Sequence, residues 1–217
     1  MKSGLVIAAV VTLVGCGNNP PQPDWKLNAQ GALERGATAY LEGRSAVAER
    51  EFGLARREIA STGRPDLLAR AELLRCAAQT ASLSFEPCAA FDALRADAPA
   101  AEIAYAAYLA GKATPADQAL LPSHHRAIAA ATDANAAAAL QAMPDALSRQ
   151  IGAAVLLQNG RASPPVIAQA IDNASAQGWR RPLLAWLKLQ AQRAQAAGDA
   201  AAADALQRRI TLVESGG

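Results

Sequence analysis

The sequence predicts an all-α fold, and three observations carry that expectation. Alanine is the commonest residue by a wide margin, aromatic residues make up 4% of the chain and apolar residues 52%. Alanine is the best helix former and a poor strand former, and so large an apolar fraction lies well above that of disordered chains. Apolar residues also recur at three- and four-residue steps: Ala48, Phe52, Ala55, Ile59; then Leu67, Ala71, Leu74, Ala78, Ala81; then Ala203, Leu206, Ile210, Val213. Finally, helix stop and start residues punctuate these runs at short intervals, and no segment shows the alternation of a strand. At 217 residues there is room for one domain with a sizeable core, or for a short array of repeats.

The N-terminus comes first. Met1 and Lys2 supply a short positive start, and Leu5 to Gly15 (LVIAAVVTLVG) an apolar run below the roughly 20 residues that a transmembrane helix needs. The run has the length of an export signal. Leu13-Val14-Gly15-Cys16 resembles the lipobox of bacterial lipoprotein signal peptides. That resemblance implies removal of residues 1–15, a diacylglycerol thioether on Cys16 and acylation of the new N-terminus, which together anchor the chain in a membrane. Several acyl chains hold durably where one is marginal, at about 0.8 kcal/mol for each buried methylene. Gly17 stands where Asp resembles an inner-membrane retention signal, so the resemblance implies the outer membrane, with the chain facing the periplasm. Residues 16–25, with GNNPPQP at their centre, are expected to form a polar, extended tether. Residues 26–217 are expected to form one helical domain.

Punctuation divides that domain into about ten helices. Boundaries fall at Gly43 before Ser45, Gly63 before Pro65-Asp66, Pro87, Pro99, Gly111 before Thr114-Pro115, and Pro122-Ser123. Others follow at Pro144-Asp145, Asn159-Gly160 before Ser163-Pro164, Gly178 before Pro182, and Gly198-Asp199. Glycine ends helices because it tolerates the left-handed conformation, and Ser, Thr, Asp or Pro begin them by capping or by fixing φ. Short helices joined by tight turns make antiparallel hairpins. The hairpin Leu33 to Ile59 resembles a tetratricopeptide repeat, with Gly36 and Ala48 at the small sites, Gly43 at the turn, Phe52 at the aromatic site and Ala55 beyond it. Leu187 to Ile210 matches in part: Ala191 and Ala203 fill the small sites and Gly198-Asp199 the turn, but Gln207 stands at the aromatic position beside Leu206. The middle keeps only the helix-turn-helix rhythm. Two architectures are therefore expected, a tetratricopeptide-like α-solenoid or an irregular helical bundle.

Cys76 and Cys88 remain once Cys16 is assigned to lipid. In an exported chain they form a disulfide that staples two successive helices, or stay as two buried thiols. No neighbouring His, Asp or Glu gives zinc-ligand spacing. His124 and His125 are adjacent, so on a helix they diverge by about 100° and grip one metal poorly; a solvated helix start behind an N-cap at Ser123 is expected. There is no serine-nucleophile elbow, phosphate-binding glycine loop or zinc-protease helix motif. Neither an enzyme activity nor a cofactor or metal is expected. The net charge of +2 leaves no basic footprint for nucleic acid.

Candidate partner-binding residues are Trp179 with Arg180 and Arg181, and Tyr105 with Tyr108, three apart on one helical face. Trp and Arg are enriched at interface hot spots, but in so aromatic-poor a chain core packing competes for each of them. Charged runs such as AEREFGLARRE, Ala48 to Glu58, read as solvated helix faces with intrahelical pairs. The functional expectation is an outer-membrane-anchored periplasmic lipoprotein that serves a cell-envelope machine as an interaction scaffold or assembly factor. The alternative is a cell-wall enzyme, or an enzyme accessory, with an unrecognised site.

Overall fold

The computed structural model describes residues 22–216, so Cys16, the leader and all but the last residues of the expected tether lie outside the described residues. The helices are α1 (Asp24–Leu41), α2 (Ser45–Ala60), α3 (Pro65–Ala81), α4 (Ala89–Asp92), α5 (Ala100–Leu109) and α6 (Pro115–Leu120). They continue with α7 (Ser123–Ala130), α8 (Ala136–Gln141), α9 (Ala146–Gln158), α10 (Pro164–Ala176), α11 (Arg180–Ala196) and α12 (Ala200–Ser215). A 3-10 turn at Arg95–Asp97 completes the set, and there is no strand among the described residues. The fold is all-α. Its helix count exceeds the expected ten because the stretch from Pro87 to Pro144 breaks into short pieces, as its prolines and cap residues recur every few turns. Helix α1 begins two residues earlier than expected, since Pro23 takes the N-cap position and Asp24 places a carboxylate in the positive first turn.

Cap chemistry sets the other ends. Thr114 and Asp117 form a reciprocal capping box at α6, the Thr114 N–H donating to Asp117 Oδ2 at 2.8 Å. Asp145 accepts from the Ser148 N–H at 2.7 Å, and Asp199 from the Ala202 N–H at 2.9 Å. At the end of α10, Gly178 adopts φ +67°, which lets the Trp179 N–H reach back to the Ala174 carbonyl at 2.9 Å. Helix α3 ends in the same way without a glycine. Leu83 holds φ +59°, its N–H bonded to the Thr80 carbonyl and the Ser84 N–H to that of Gln79. The Leu83 side chain packs against the C-terminal core, which compensates a conformation that β-carbons disfavour.

Two stacks build the body. In the first, α1 and α2 form an antiparallel hairpin with α3 against both; in the second, α9, α10, α11 and α12 follow one another. They meet where α3 packs directly on α9, and α4 to α8 occupy the excursion between them in sequence. Small residues make the close approaches. A Cβ on Gly36 would lie 3.0 Å from the Phe52 ring, and one on Gly152 2.9 Å from Leu140 Cδ2. Trp186, fully buried, centres the C-terminal core with Leu187, Ile128, Leu140 and Met143. Leu73, Phe91, Tyr108, Leu121 and Ile151 fill the central core, and Trp179 touches both.

Between the helices run ion pairs. Arg35 Nε donates to Glu51 Oε2 at 2.9 Å, Arg56 pairs with Glu72, and Arg70 Nε donates to Glu102 at 2.8 Å. All three glutamates are buried while the arginines reach them from exposed stems. The run around Glu51 is solvated as expected at Glu49, Arg50, Arg56 and Arg57, and Arg50 pairs with Glu51 within α2, but Glu51 itself is buried and the pairs of Glu51 with Arg35 and of Arg56 with Glu72 join different helices. Arg35–Glu51 and Arg56–Glu72 are each sixteen residues apart, the spacing that a helix, a tight turn and half a returning helix place side by side. Cys76 and Cys88 are joined by a disulfide with Cα atoms 5.9 Å apart, tying α3 to the loop before α4. No helix among the described residues is long and apolar enough to cross a membrane.

Candidate functional site

Helix α5 supplies Tyr105 and Tyr108, and α7 opens with Ser123, His124 and His125 behind the extended residue Pro122. Ser123 is the first helical residue and Pro122 holds the N-cap position, with no side-chain cap bond. An eight-residue helix needs an inward face to stay docked, and here that face is His125 and Ile128, three apart, with Leu121 buried just ahead of the helix. His125 is thus 2% exposed rather than solvated, and the expectation of a solvated helix start holds only in part, since His124 is half-exposed. His125 Nδ1 lies 3.2 Å from Tyr108 Oη, which gives both buried groups a hydrogen-bond partner. Burial, with His124 beside it, pushes the His125 imidazole pKa down to about 3 against a smaller opposing pull from Asp145.

Tyr108 is core. Its ring is 2% exposed, and burial holds its hydroxyl well above the usual phenol range. The ring of Tyr105 lies 6.1 Å from that of Tyr108 and 5.5 Å from that of His125, and it forms part of a cleft wall. Of the two tyrosines offered for partner contact, only Tyr105 is placed to make one.

That cleft has a volume of about 700 Å³. Leu33 of α1 and Leu73, Leu74 and Ala77 of α3 form one wall, with Ala101 and Tyr105 of α5 beside them. Leu120, Leu121, Pro122 and His124 form the next wall, and Asp145, Leu147, Ser148 and Ile151 of α9 close it. The surface is mostly apolar with a few polar groups, the usual make-up of a ligand site. Leu120, 48% exposed, stands at its edge. Burial, and secondarily the Asp145 carboxylate, raise the Tyr105 hydroxyl pKa, so that hydroxyl keeps its proton. A second hollow of about 710 Å³ shares Leu33 and Arg70 with the first and extends along α1 to Trp25 and Lys26.

The other candidates lie elsewhere. Trp179 and Arg180 are half-buried at the start of α11. Arg181 is used within the chain: its Nε donates to the Tyr40 carbonyl and its Nη2 to Ser45 Oγ, each at 2.7 Å. Its guanidinium also lies 4.2 Å from the centre of the Tyr40 ring. That arginine joins α11 to the α1–α2 turn and is not presented to a partner. Cys16 lies outside the described residues. Among those residues, no group of three or more His, Cys, Asp and Glu side chains is placed to hold a metal ion.

The cleft itself was missed in the sequence, apart from Tyr105 and the histidines. Its walls come from segments more than a hundred residues apart, and Leu74, Leu147 and Ser148 carry no motif. No protein-family model, curated protein or solved structure matches the chain.

Proposed function

We propose that the chain is a lipid-anchored protein of the bacterial cell envelope, held at the outer membrane through Cys16, whose helical body binds a protein partner and performs no chemistry of its own. The observation that carries this reading is the packing of the α1–α2 hairpin. Gly36 lies against the Phe52 ring, Ala48 and Ala55 are fully buried, and Gly43 makes the turn at φ +86°. These are the contacts a tetratricopeptide-like hairpin requires, and they support such a hairpin at this end. At the other end Ala191, Ala203 and Leu206 are buried while Gln207 faces solvent, so Leu206 supports the packing there in place of an aromatic residue. Stacked hairpins of this kind present extended surfaces suited to holding other proteins. The anchor fixes location and the tether sets reach and local concentration. His125 reaches the cleft wall, but its Nδ1 is bonded to Tyr108 and burial makes its imidazole a weak base, which favours binding over catalysis.

Two measurements test the reading together. Wild type should incorporate labelled palmitate and sediment with outer membranes, and Cys16→Ser should do neither. Crosslinking in intact cells should then enrich a specific envelope protein with the anchored form over Cys16→Ser. Membrane association surviving in Cys16→Ser removes the lipid anchor; absence of any enriched protein removes the scaffold role.

A further inference from the structure

We infer that the cleft between α3, α5, α7 and α9 is a binding site for a single-chain amphiphile with an ammonium head, its tail lying along the α3 and α9 walls and its head between Tyr105, His124 and Asp145. The inference does not rest on the scaffold reading.

Size and lining come first. About 700 Å³ falls within the range of small-molecule sites, and the walls offered to a tail are Leu73, Leu74, Ala77, Leu147 and Ile151. The adjoining hollow past Leu33 gives a longer tail room to continue.

Charge then selects the head. The charged residues lining the cleft are Arg70, Glu102 and Asp145. Arg70 is neutralised by Glu102, to which its Nε and Nη2 both donate. Asp145 is left as the unbalanced charge. Its Oδ1 caps α9 through the Ser148 N–H, and its other oxygen accepts no hydrogen bond among the described residues. The neutral phenol of Tyr105 on α5 and the ring of His124 on α7 line the same cleft. Aromatic faces beside a carboxylate attract an ammonium through ring quadrupole and Coulomb terms alike. A carboxylate or phosphate head would meet Asp145 with no free cation to offset it, and an uncharged head would gain hydrogen bonds only.

The test uses the full chain carrying Cys16→Ser, which has no lipid of its own to occupy the cleft. Calorimetric titration compares decyltrimethylammonium, 1-decanol and decanoate below their aggregation concentrations, equal in tail length and different in head. Saturable one-to-one binding is expected, tightest for the ammonium and weakest for decanoate. Asp145→Asn keeps an N-cap of equal quality and should weaken the ammonium about tenfold while leaving decanol unchanged. Leu74→Arg should abolish binding of both, with the helical signal and unfolding midpoint of each variant confirming the fold. Decanoate binding as tightly as the ammonium, or an Asp145→Asn variant that discriminates as before, overturns the assignment of the head. No saturable binding of any probe overturns the site as an amphiphile site and leaves the cleft to the apolar face of a partner helix.

Discussion

His125 sits in the core as a neutral imidazole, and that position makes stability depend on acid. The groups facing it are Tyr105 and Tyr108 from α5, His124 on its own helix and Asp145 at the start of α9. Its folded pKa of about 3 is below the ordinary value of 6.5, so between these pH values the unfolded chain binds a proton that the folded chain refuses. Its contribution to stability is whole above pH 6.5 and is lost progressively as pH falls toward 3. At pH 5 the loss amounts to about 2 kcal/mol. Denaturant unfolding at pH 7.5 and pH 5 should show it, and His125→Gln, which keeps a hydrogen-bonding group without the titration, should lose correspondingly less. Equal losses in the two proteins would assign the acid sensitivity to other groups. Gly152 gives a second check at this scale: its missing Cβ faces Leu140, Ile128 and Met143 at 2.9 to 3.6 Å. Gly152→Val should therefore cost about 1–3 kcal/mol by overpacking, read as a lower unfolding midpoint. Of these features the sequence showed the two histidines but not which one turns inward. The clue was there in the three-residue step from His125 to Ile128, and it was hidden because histidine is not counted as an apolar residue in a periodicity.

Among the elements, the helices were the most legible and their pairing the least. Gly43, Gly63, Gly111, Gly160, Gly178 and Gly198 all take positive φ at or just beyond a helix end, as their positions in the sequence implied. Leu83 makes the same turn and gives no signal, because tertiary packing of its side chain stands in for what glycine supplies by lacking one. The Arg–Glu pairs escaped for a related reason: a spacing of sixteen becomes a contact only once the turn between two helices is known. The disulfide, one of the two alternatives for Cys76 and Cys88, is the one the structure holds, and it closes the segment that contains Leu83. Closing a loop of twelve residues restricts the unfolded chain by about 3 kcal/mol in the loop-entropy account. Replacing both cysteines by alanine should lower the unfolding free energy by that order. Amide exchange should quicken first in the loop and α4, whose four residues have little hydrogen bonding of their own. An unchanged midpoint would mean that packing of Phe91, not the bridge, holds this segment.

At the scale of the molecule, an α-solenoid made only of neighbour contacts would leave its ends apart, and here they touch. Helix α3 packs on α9, and α11 reaches α1. Sequence reasoning proposed hairpins and could not foresee either contact, since both join segments that share no motif; the cleft was illegible for the same reason, being bounded by the helices that these contacts bring together. Arg181 is the side chain that makes the closure specific. Its fork spans the Tyr40 carbonyl and Ser45 Oγ while its plane lies by the Tyr40 ring, so three interactions depend on one planar group. A lysine carries the charge but neither the fork nor the plane. Arg181→Ala should therefore destabilise the protein by about 1–2 kcal/mol, and Arg181→Lys should recover little of it. The distinguishing measurement is hydrogen exchange by segment. Loosening the closure should speed exchange in α1 and α2, which otherwise lean mainly on α3, and leave α9 and α10 as slow as in wild type. Because Leu33 of α1 is one wall of the cleft, the same variant should also weaken binding there without touching any residue that lines it. If α1 and α2 exchange at the wild-type rate, the hairpin is held by α3 alone and Arg181 is only a surface contact.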